Sequence, residues 1–427
     1  MRILFKSVLI LDSTSTYFQQ KVDLLAENGI WKELAPSITS SVDSQVDCEN
    51  LSWYPSVIDL RVHHTLPGGE FKEDWNSLKS AAIRGGVLDM ALLPTGNPVP
   101  QQAEAVQFIA NQTTEVSFYP IAPLTLDNKG ENFTDLYDLH QAGAEWFSHG
   151  AGSLQNTDLM VKCLQYLQTL PVTLVTRPNT EGLSLYGQIH EGLQSTLMGL
   201  KGIPVLAETL SIKRDLDLLR YVQSNSFGNG NKEFKLHISC LSCQESVNLI
   251  RQAKKEGLPV SADVAIHQLI FTESDVADFD TNKKVNPPFR TQEDQDALWK
   301  GLVDGTIDAI VSDHHPVEVE MKEIEFDQAS FGVVGLETLL PALLQAAKLR
   351  NIQSVDTWIH HGPAKLLGID SAQLAVGNPS KGVLVALKNQ EYEASQIVSK
   401  SKNSAFLNHT FDHQIVGVLN GTFYTSF

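Results

Sequence analysis

Short runs of apolar and β-branched residues recur along most of this 427-residue chain, and segments with helical periodicity separate them. Runs that are apolar at nearly every position are typical of strands that are buried on both faces of a parallel sheet. Residues 246–256 illustrate the helices between them, because basic residues occupy the last turn and Gly257 follows. The predicted strands are 56–62, 87–93, 116–119, 143–147, 172–176, 235–239, 260–264 and 307–312. Strands that alternate with helices over about 315 residues predict a (β/α)8 barrel in preference to a doubly wound sheet.

The two ends of the chain have a different pattern. Predicted strands and turns occupy the N-terminal region at 2–11 and 24–29, and the C-terminal region at 382–387, 393–400 and 414–427, the last with an Asn-Gly turn. We therefore predict that residues 1–53 and 370–427 form one small composite β-sandwich, and that residues 54–369 form the barrel. The Ser/Asn/Gly-rich stretch 224–232 is a predicted barrel loop.

Composition excludes several classes of function. The 32 Lys and Arg against 50 Asp and Glu give a net charge of −18, which disfavours binding to nucleic acids or to anionic membranes. No apolar run is long enough to cross a bilayer, and the N-terminus lacks the small-residue pattern of a cleaved signal. We expect a soluble cytoplasmic protein with no membrane partner.

Cysteine is scarce in this chain. Cys48, Cys163, Cys240 and Cys243 are too few for a disulfide framework in a chain of this length. Cys240 and Cys243 have the spacing of a redox motif or of half a zinc ribbon, but no second cysteine pair completes a ribbon.

Polar residues follow most of the predicted strands, and the carboxyl ends of barrel strands are where functional groups are found. Converging His, Cys and Asp side chains could form a metal site, or they could form an ordinary hydrogen-bonded rim. The clusters are 59–64, 93–98, 147–150, 176–177, 237–240, His267 and 313–316.

Several segments, in order along nearly the whole chain, carry a family resemblance. They include KKVNPPFR at 283–290, DGTIDAIVSDHHP at 304–316, and the stretches 57–100, 187–221, 242–272, 331–344, 399–406 and 415–421. The chain resembles the dihydroorotases of the multifunctional-complex type, in the cyclic amidohydrolase superfamily. This resemblance implies a (β/α)8 barrel of amidohydrolase type with a β-sandwich made from both termini. It also implies bound zinc and the interconversion of carbamoyl-aspartate and dihydroorotate in pyrimidine synthesis.

The positions that correspond to the family's zinc ligands have changed. Arg61 stands in the expected His-x-His motif, and Arg177 and Cys240 stand where histidines are expected. The expected aspartate turn is Ser148-His149-Gly150. Of about six ligand positions, only His63 and Asp313 keep the family's residue, which is too few for a two-metal site. Asp313 resembles the family's general acid/base, but without a metal it has no activated water to serve.

The two arginines suggest what replaced the metal. Arginine has no lone pair for a metal and carries a permanent charge, so we hypothesise that Arg61 and Arg177 occupy the vacated volume and pair with Asp313. Alternatively, both arginines extend to solvent. A further alternative is a rebuilt single-zinc site made of His63, His149, Cys240 and Asp313.

The substrate-contact positions are also altered. Thr65 replaces the arginine that clamps the substrate carboxylate in the family, and Thr95 replaces an asparagine. His267 and Asn286 match family positions for substrate contact, although either could have a purely structural role. Val317 stands where the family has a further histidine.

These residues predict a dihydroorotase-like pseudoenzyme that holds no cofactor and supports the assembly of aspartate carbamoyltransferase, a role the resemblance implies. The competing hypothesis is an active dihydroorotase, or another cyclic-amide hydrolase of hydantoinase or allantoinase type, with one zinc. A third hypothesis is a sensing module that uses Arg61 and Arg177 as an anion clamp. The alternative to aspartate carbamoyltransferase as a partner is a second copy of the same chain, which would give a homo-oligomer.

Overall fold

The N-terminal region of the chain forms a group of strands. The computed structural model describes residues 1–112, 114–225, 233–371 and 373–427, and most of the predicted loop at 224–232 lies outside this part. The N-terminal strands are β1 (Arg2–Ile10), β2 (Lys21–Glu27), β3 (Ile30–Ala35), β4 (Ser44–Asp47) and β5 (Leu51–Tyr54). β1 pairs antiparallel with β2, and it pairs in parallel first with β4 and then with β5.

The next strands form a parallel barrel. Its strands, together with one separate parallel pair (β11 and β12), are β6 (Val57–His63), β7 (Val87–Leu93), β8 (Ser117–Pro123), β9 (Trp146–Ser148), β10 (Thr173–Thr176), β11 (Ile189–His190), β12 (Gly202–Ile203), β13 (Lys235–Ile238), β14 (Val260–Ala265) and β15 (Ala309–Val311). The barrel strands follow one another in sequence order around the sheet. The sheet closes between β6 and the residues after β15, where the His63 N–H donates to the His314 carbonyl over 2.9 Å. Each of the predicted barrel strands is present, with ends that differ by a few residues.

Helices cover the outside of the barrel. They are α1 (Trp75–Arg84), α2 (Ala103–Ala110), α3 (Leu136–Gln141), α4 (Thr157–Leu167), α5 (Glu181–Ser184), α6 (Leu193–Met198), α7 (Val205–Ser224), α8 (Gln244–Lys255), α9 (Gln292–Val303), α10 (Leu339–Leu349) and α11 (Gly362–Leu367). The Asp74 side chain starts α1 by accepting from two backbone N–H groups of its first turn. The predicted helix at 246–256 is α8, which buries Val247, Ile250 and Ala253 at helical spacing. None of the helices in the described ranges combines the length and apolar character that a bilayer crossing requires.

The C-terminal strands complete the N-terminal sheet. They are β16 (Lys381–Glu391), β17 (Thr410–Asn420) and β18 (Phe423–Ser426), and β16 pairs antiparallel with β5. A tight turn with Gly421 at φ +61° joins β17 to β18, near the predicted Asn-Gly turn. The strand predicted at 393–400 is wrong. The carboxylates of Glu337 and Glu73 accept from the backbone N–H groups of 398–400, so these groups do not pair with a strand.

The terminal sheet curls around its own aromatic core. The Trp31 and Trp53 rings lie 5.2 Å apart, and Phe5 lies 5.5 Å from Tyr424, although these residues come from strands far apart in the sheet. Lys381 of β16 forms an ion pair with Asp89 of β7 and so connects the sheet to the barrel. A parallel eight-stranded barrel with a sheet domain built from both termini agrees with the predicted architecture. The residue limits 1–53, 54–369 and 370–427 stay a prediction.

Candidate functional site

The carboxyl ends of the barrel strands bring together most of the polar residues that the sequence singles out. In a parallel barrel these ends share one face, which we call the barrel mouth. The residues at the mouth are Arg61 and His63 at the end of β6, His149 after β9, Arg177 after β10, Cys240 after β13, His267 after β14 and Asp313 after β15.

Arg61 and Asp313 form a buried ion pair at the barrel mouth. Nε of Arg61 donates to Oδ1 of Asp313 over 2.7 Å, and the two side chains are only 3% and 10% exposed. A buried carboxylate needs such a partner, because an uncompensated charge in the interior costs several kcal/mol. Arg61 therefore binds the retained carboxylate and does not extend to solvent.

His63 is the second partner of Asp313. Its Nε2 lies 3.4 Å from the same Oδ1, and its ring stacks on His315 with 3.9 Å between centroids. Burial raises the pKa of Asp313, but the charge of Arg61 and the contact with His63 outweigh burial and hold this pKa well below its ordinary value. Burial also lowers the pKa of His63 and of His315. The mouth thus combines one ionised carboxylate with neutral imidazoles.

Arg177 is also buried, but its environment is different. Its Nη1 donates to the Ala151 carbonyl over 3.2 Å. Within the described ranges, no carboxylate oxygen lies within 4.0 Å of its guanidinium. Burial and then the charge of Arg61 lower the pKa of Arg177. The hypothesis that both arginines pair with Asp313 is therefore wrong for Arg177.

Cys240 is held by a carboxylate that the sequence analysis missed. Asp263, inside β14, accepts from the Cys240 N–H over 2.6 Å, and it also bonds to Ser239 and His237. Cys240 has a left-handed backbone, with φ of +58°, which non-glycine residues adopt only at a cost. Burial raises the pKa of the Cys240 and Cys243 thiols, whereas a redox pair requires a lowered pKa. Asp263 was visible in the sequence as a lone carboxylate in the apolar run VSADVA.

Asp59, the first residue of the predicted cluster 59–64, is a second buried carboxylate near the barrel mouth. It interrupts an apolar strand, it is fully buried, and it accepts from the backbone N–H groups of Arg61 and Ser312. Burial raises the pKa of Asp59 to about 7, which its hydrogen bonds only partly offset. It therefore ties the two strand ends that carry Arg61 and Asp313.

The remaining predicted site residues lie around this centre. His149 is half-buried and hydrogen-bonds Thr125 through Nδ1 over 3.1 Å. His267 is buried at 1% exposure, its Nε2 has no hydrogen-bond partner, and burial lowers its pKa to about 4. Asn286 is half-buried and precedes Pro287. A role of His267 and Asn286 in substrate binding stays a prediction.

A cavity of about 650 Å³ opens at the barrel mouth. The two threonines at altered substrate positions face it, but their hydroxyls donate to nearby carbonyls: Thr65 to Glu73 and Gly69, and Thr95 to His64. The wall of the cavity is mostly polar and includes His63, Thr65, Lys72, Thr95, Asn97, Asn128, His149, Ala151, Gly152 and His315.

Zinc, which the family resemblance implies, does not fit the described barrel mouth. Arg61 Nε lies 2.7 Å from the Asp313 oxygen that a metal would need, and arginine cannot be a ligand. Among the residues that the structure describes, a single group of three His, Cys, Asp or Glu side chains has its ligand atoms within 4.8 Å, and it lies elsewhere. His63, His149, Cys240 and Asp313 therefore do not converge as one site.

That group consists of Asp12, Asp356 and His361, at the amino end of the barrel. His361 Nε2 lies 3.6 Å from an oxygen of each aspartate. Burial lowers the pKa of His361, but the two carboxylates outweigh it and raise this pKa to about 9. The charged imidazole therefore offsets one of the two carboxylate charges, and the three side chains connect the terminal sheet to the barrel.

Solved structures with the same architecture include hydantoinases and dihydropyrimidinases. An L-hydantoinase (dihydropyrimidinase) from Arthrobacter aurescens superimposes with a TM-score of 0.83 over 99% of this chain and 96% of its own, at 21% identity. A dihydropyrimidinase from Brevibacillus agri NCHU1002 has the same TM-score over 100% and 95%, at 16% identity. The predicted class, an amidohydrolase-type barrel, is confirmed.

Sequence comparison is more specific. The family model described as "Dihydro-orotase-like" matches residues 53–227. Dihydroorotases from Geotalea daltonii and Ruminiclostridium cellulolyticum are each 34% identical over 95% of this chain, and the matches cover 95% and 94% of their own lengths. The chain therefore belongs to the dihydroorotase family.

Proposed function

We propose that this chain is a non-catalytic member of the dihydroorotase family. It has lost metal-dependent hydrolysis, and an internal ion pair stands in place of the metal. The observation that supports this most directly is the 2.7 Å contact between Arg61 and Asp313. The Arg61 guanidinium compensates the negative charge of Asp313, which a metal would otherwise do.

The proposal also follows from the chemistry of Asp313. Amide hydrolysis at neutral pH needs a polarised carbonyl and an activated water, and a metal supplies both in this superfamily. A general base must accept a proton, but Asp313 has a strongly lowered pKa and is already bound to Arg61 and His63. The Asp313 carboxylate therefore has a structural role and does not act as a general base.

The test is an assay for dihydroorotate formation and hydrolysis, with and without added zinc, paired with metal analysis of protein purified without chelator. The Geotalea daltonii dihydroorotase serves as positive control. We expect no turnover and well under one zinc per chain. Zinc-dependent turnover that the Asp313→Asn variant lacks would overturn the proposal. Hydantoin and allantoin belong in the same assay, because activity on either would favour a cyclic-amide hydrolase with a rearranged site.

The family resemblance suggests that the retained role is support of aspartate carbamoyltransferase assembly. One segment of the chain, residues 185–210, carries six large apolar side chains that are exposed, and exposed apolar residues are a feature of contact regions. They are Leu185, Tyr186, Leu193, Leu197, Leu206 and Leu210, with exposures of 44–76%. Analytical ultracentrifugation of the chain with purified aspartate carbamoyltransferase tests this proposal. We expect a complex that Leu193→Asp/Leu197→Asp weakens; a homo-oligomer alone would favour self-association.

A further inference from the structure

His64 is a buried histidine that the barrel mouth does not use. Neighbouring residues of an extended strand point to opposite sides, so His63 contacts Asp313 whereas the His64 ring lies 4.8 Å from the Trp75 ring of α1. His64 is only 2% exposed, and burial lowers its pKa to about 4, so its imidazole is neutral, with one donor and one acceptor nitrogen. In the described part of the chain, neither Nδ1 nor Nε2 of His64 has a hydrogen-bond partner. A buried side chain that leaves both of its polar atoms unsatisfied is uncommon in a folded protein.

His64 lines a second cavity, of about 360 Å³, between α1, α2 and the loop at 64–70. This volume lies in the range of small-molecule sites, which are mostly apolar and contain a few polar groups that orient the ligand. The apolar part of the wall includes Leu66, Pro67, Trp75, Pro100, Phe108 and Ile109. An imidazole in a wall of this kind can fix the orientation of an apolar ligand.

Three rings in the wall of this cavity contact one another in a row. The His64 ring contacts Trp75, and the Trp75 ring meets Phe108 of α2 edge to face, with 6.3 Å between centroids. Phe108 is 56% exposed whereas His64 is buried, so the row runs from the surface to the imidazole. Aromatic rings attract one another in offset and edge-to-face contacts. The row therefore provides contacts for an aromatic ligand along the way to His64.

The charged side chains at this cavity are both acidic. Asp74 caps α1 and forms an ion pair with Lys400. Glu70 is exposed to solvent, and its carboxylate accepts from the Gly68 N–H over 3.1 Å. Both carboxylates thus have partners, and their charges would repel an anion. The wall therefore favours an uncharged ligand.

We propose that this 360 Å³ cavity binds a small uncharged aromatic molecule whose single hydroxyl or N–H group donates to the His64 imidazole. Such a ligand satisfies a buried nitrogen that otherwise lacks a partner, and it keeps its ring in contact with Trp75 and Phe108. The broad χ2 torsion of histidine lets the ring turn either nitrogen towards the ligand.

The site is separate from the barrel mouth. The loop at 65–70 lies between the two cavities, because Thr65, Gly68 and Gly69 line the mouth cavity whereas Leu66, Pro67 and Glu70 line the second cavity. The inference therefore goes beyond the proposed function and does not depend on whether the mouth holds a metal.

The test is calorimetric titration of the full chain with phenol, with toluene as the probe that lacks a hydrogen-bonding group and benzoate as the anionic probe. We expect one phenol per chain and weaker binding of benzoate. His64→Phe keeps a ring of similar shape and removes both nitrogens, so it should weaken phenol binding at least about fivefold and leave toluene binding no weaker. His409→Phe, the same substitution at a half-buried histidine that bonds to Gln345, is the matched control and should bind phenol as the wild type does. Absence of saturable phenol binding, phenol binding that His64→Phe retains, or tighter binding of benzoate would overturn the inference.

A second variant keeps the test valid if His64→Phe fails to fold. Ala105 lies on α2 in the cavity wall and is half-buried, so Ala105→Phe fills the cavity from the helix. We expect this variant to lose the binding of both phenol and toluene. Phenol binding that is unchanged in Ala105→Phe would place the site elsewhere and overturn the assignment. Zinc content and turnover do not enter this test, so its failure is distinguishable from failure of the proposed function.

Discussion

The ion pair between Arg61 and Asp313 joins the two strand ends at which the barrel closes. Arg61 lies on β6 and Asp313 lies two residues after the end of β15, and these residues are 252 positions apart in the sequence. The pair is reinforced from below by Asp59, which binds the backbone of both strand ends. The ion pair of the Asp313 carboxylate and the closure of the sheet therefore lie at the same place in the barrel.

Arg61→Met should destabilise the protein by about 3–5 kcal/mol, because it leaves the Asp313 carboxylate buried without its cation. Urea unfolding followed by tryptophan fluorescence measures the change. Arg251→Met is the matched control, since it breaks the exposed pair with Asp304 and should cost no more than about 1 kcal/mol. The double variant Arg61→Met/Asp313→Leu should recover most of the loss. A double variant as unstable as Arg61→Met would contradict the account of an uncompensated charge.

The free energy of unfolding of Asp59→Asn should increase relative to that of the wild type as pH rises. Burial raises the pKa of Asp59 to about 7 from an ordinary value of 3.8, so the stability this group contributes is complete below pH 4 and is lost as pH rises through 7. Urea unfolding of both proteins at pH 5 and pH 8 should show the difference moving by about 2–4 kcal/mol in favour of the variant. A difference that does not change with pH would show that Asp59 does not titrate in this range.

The four cysteines should be unreactive in the folded protein. All are buried free thiols, and burial raises the pKa of each. We expect negligible reaction with a thiol reagent at pH 8 over minutes, and four thiols per chain after unfolding in guanidinium. Two thiols per chain in unfolded, unreduced protein would instead indicate one disulfide per chain and contradict the prediction.

His361→Gln should destabilise the protein below neutral pH and have little effect at high pH. The folded pKa of about 9 lies above the ordinary 6.5, so the stabilisation by the charged imidazole is complete below pH 6.5 and disappears as pH passes 9. We expect a loss of about 2 kcal/mol at pH 6 that shrinks towards pH 10. His409→Gln is a useful comparison, because burial lowers the pKa of His409 and its contribution should grow as pH rises. An effect of His361→Gln that is equal at both pH values would exclude the charged interaction with Asp12 and Asp356.

The sequence predicted the barrel well because strands buried on both faces have an unmistakable composition. It also predicted which polar residues reach the mouth, since position at a strand end determines this. It could not predict that Arg61 pairs with a carboxylate and Arg177 does not. Both are arginines at strand ends, and only the closure of the barrel brings Asp313 beside Arg61. The segment 393–400 alternates like a strand, but buried Glu337 and Glu73 provide acceptors that no local pattern reveals.

The terminal sheet has a consequence for the order of events during synthesis. β5 pairs with β16, so β5 is synthesised more than 300 residues before its partner. The barrel between them can close first, whereas the exposed edge of β5 stays open to incorrect pairing until β16 has left the ribosome. A released chain that ends before residue 381 would therefore have an assembled barrel and an unprotected strand, and such a chain is a natural substrate for chaperones.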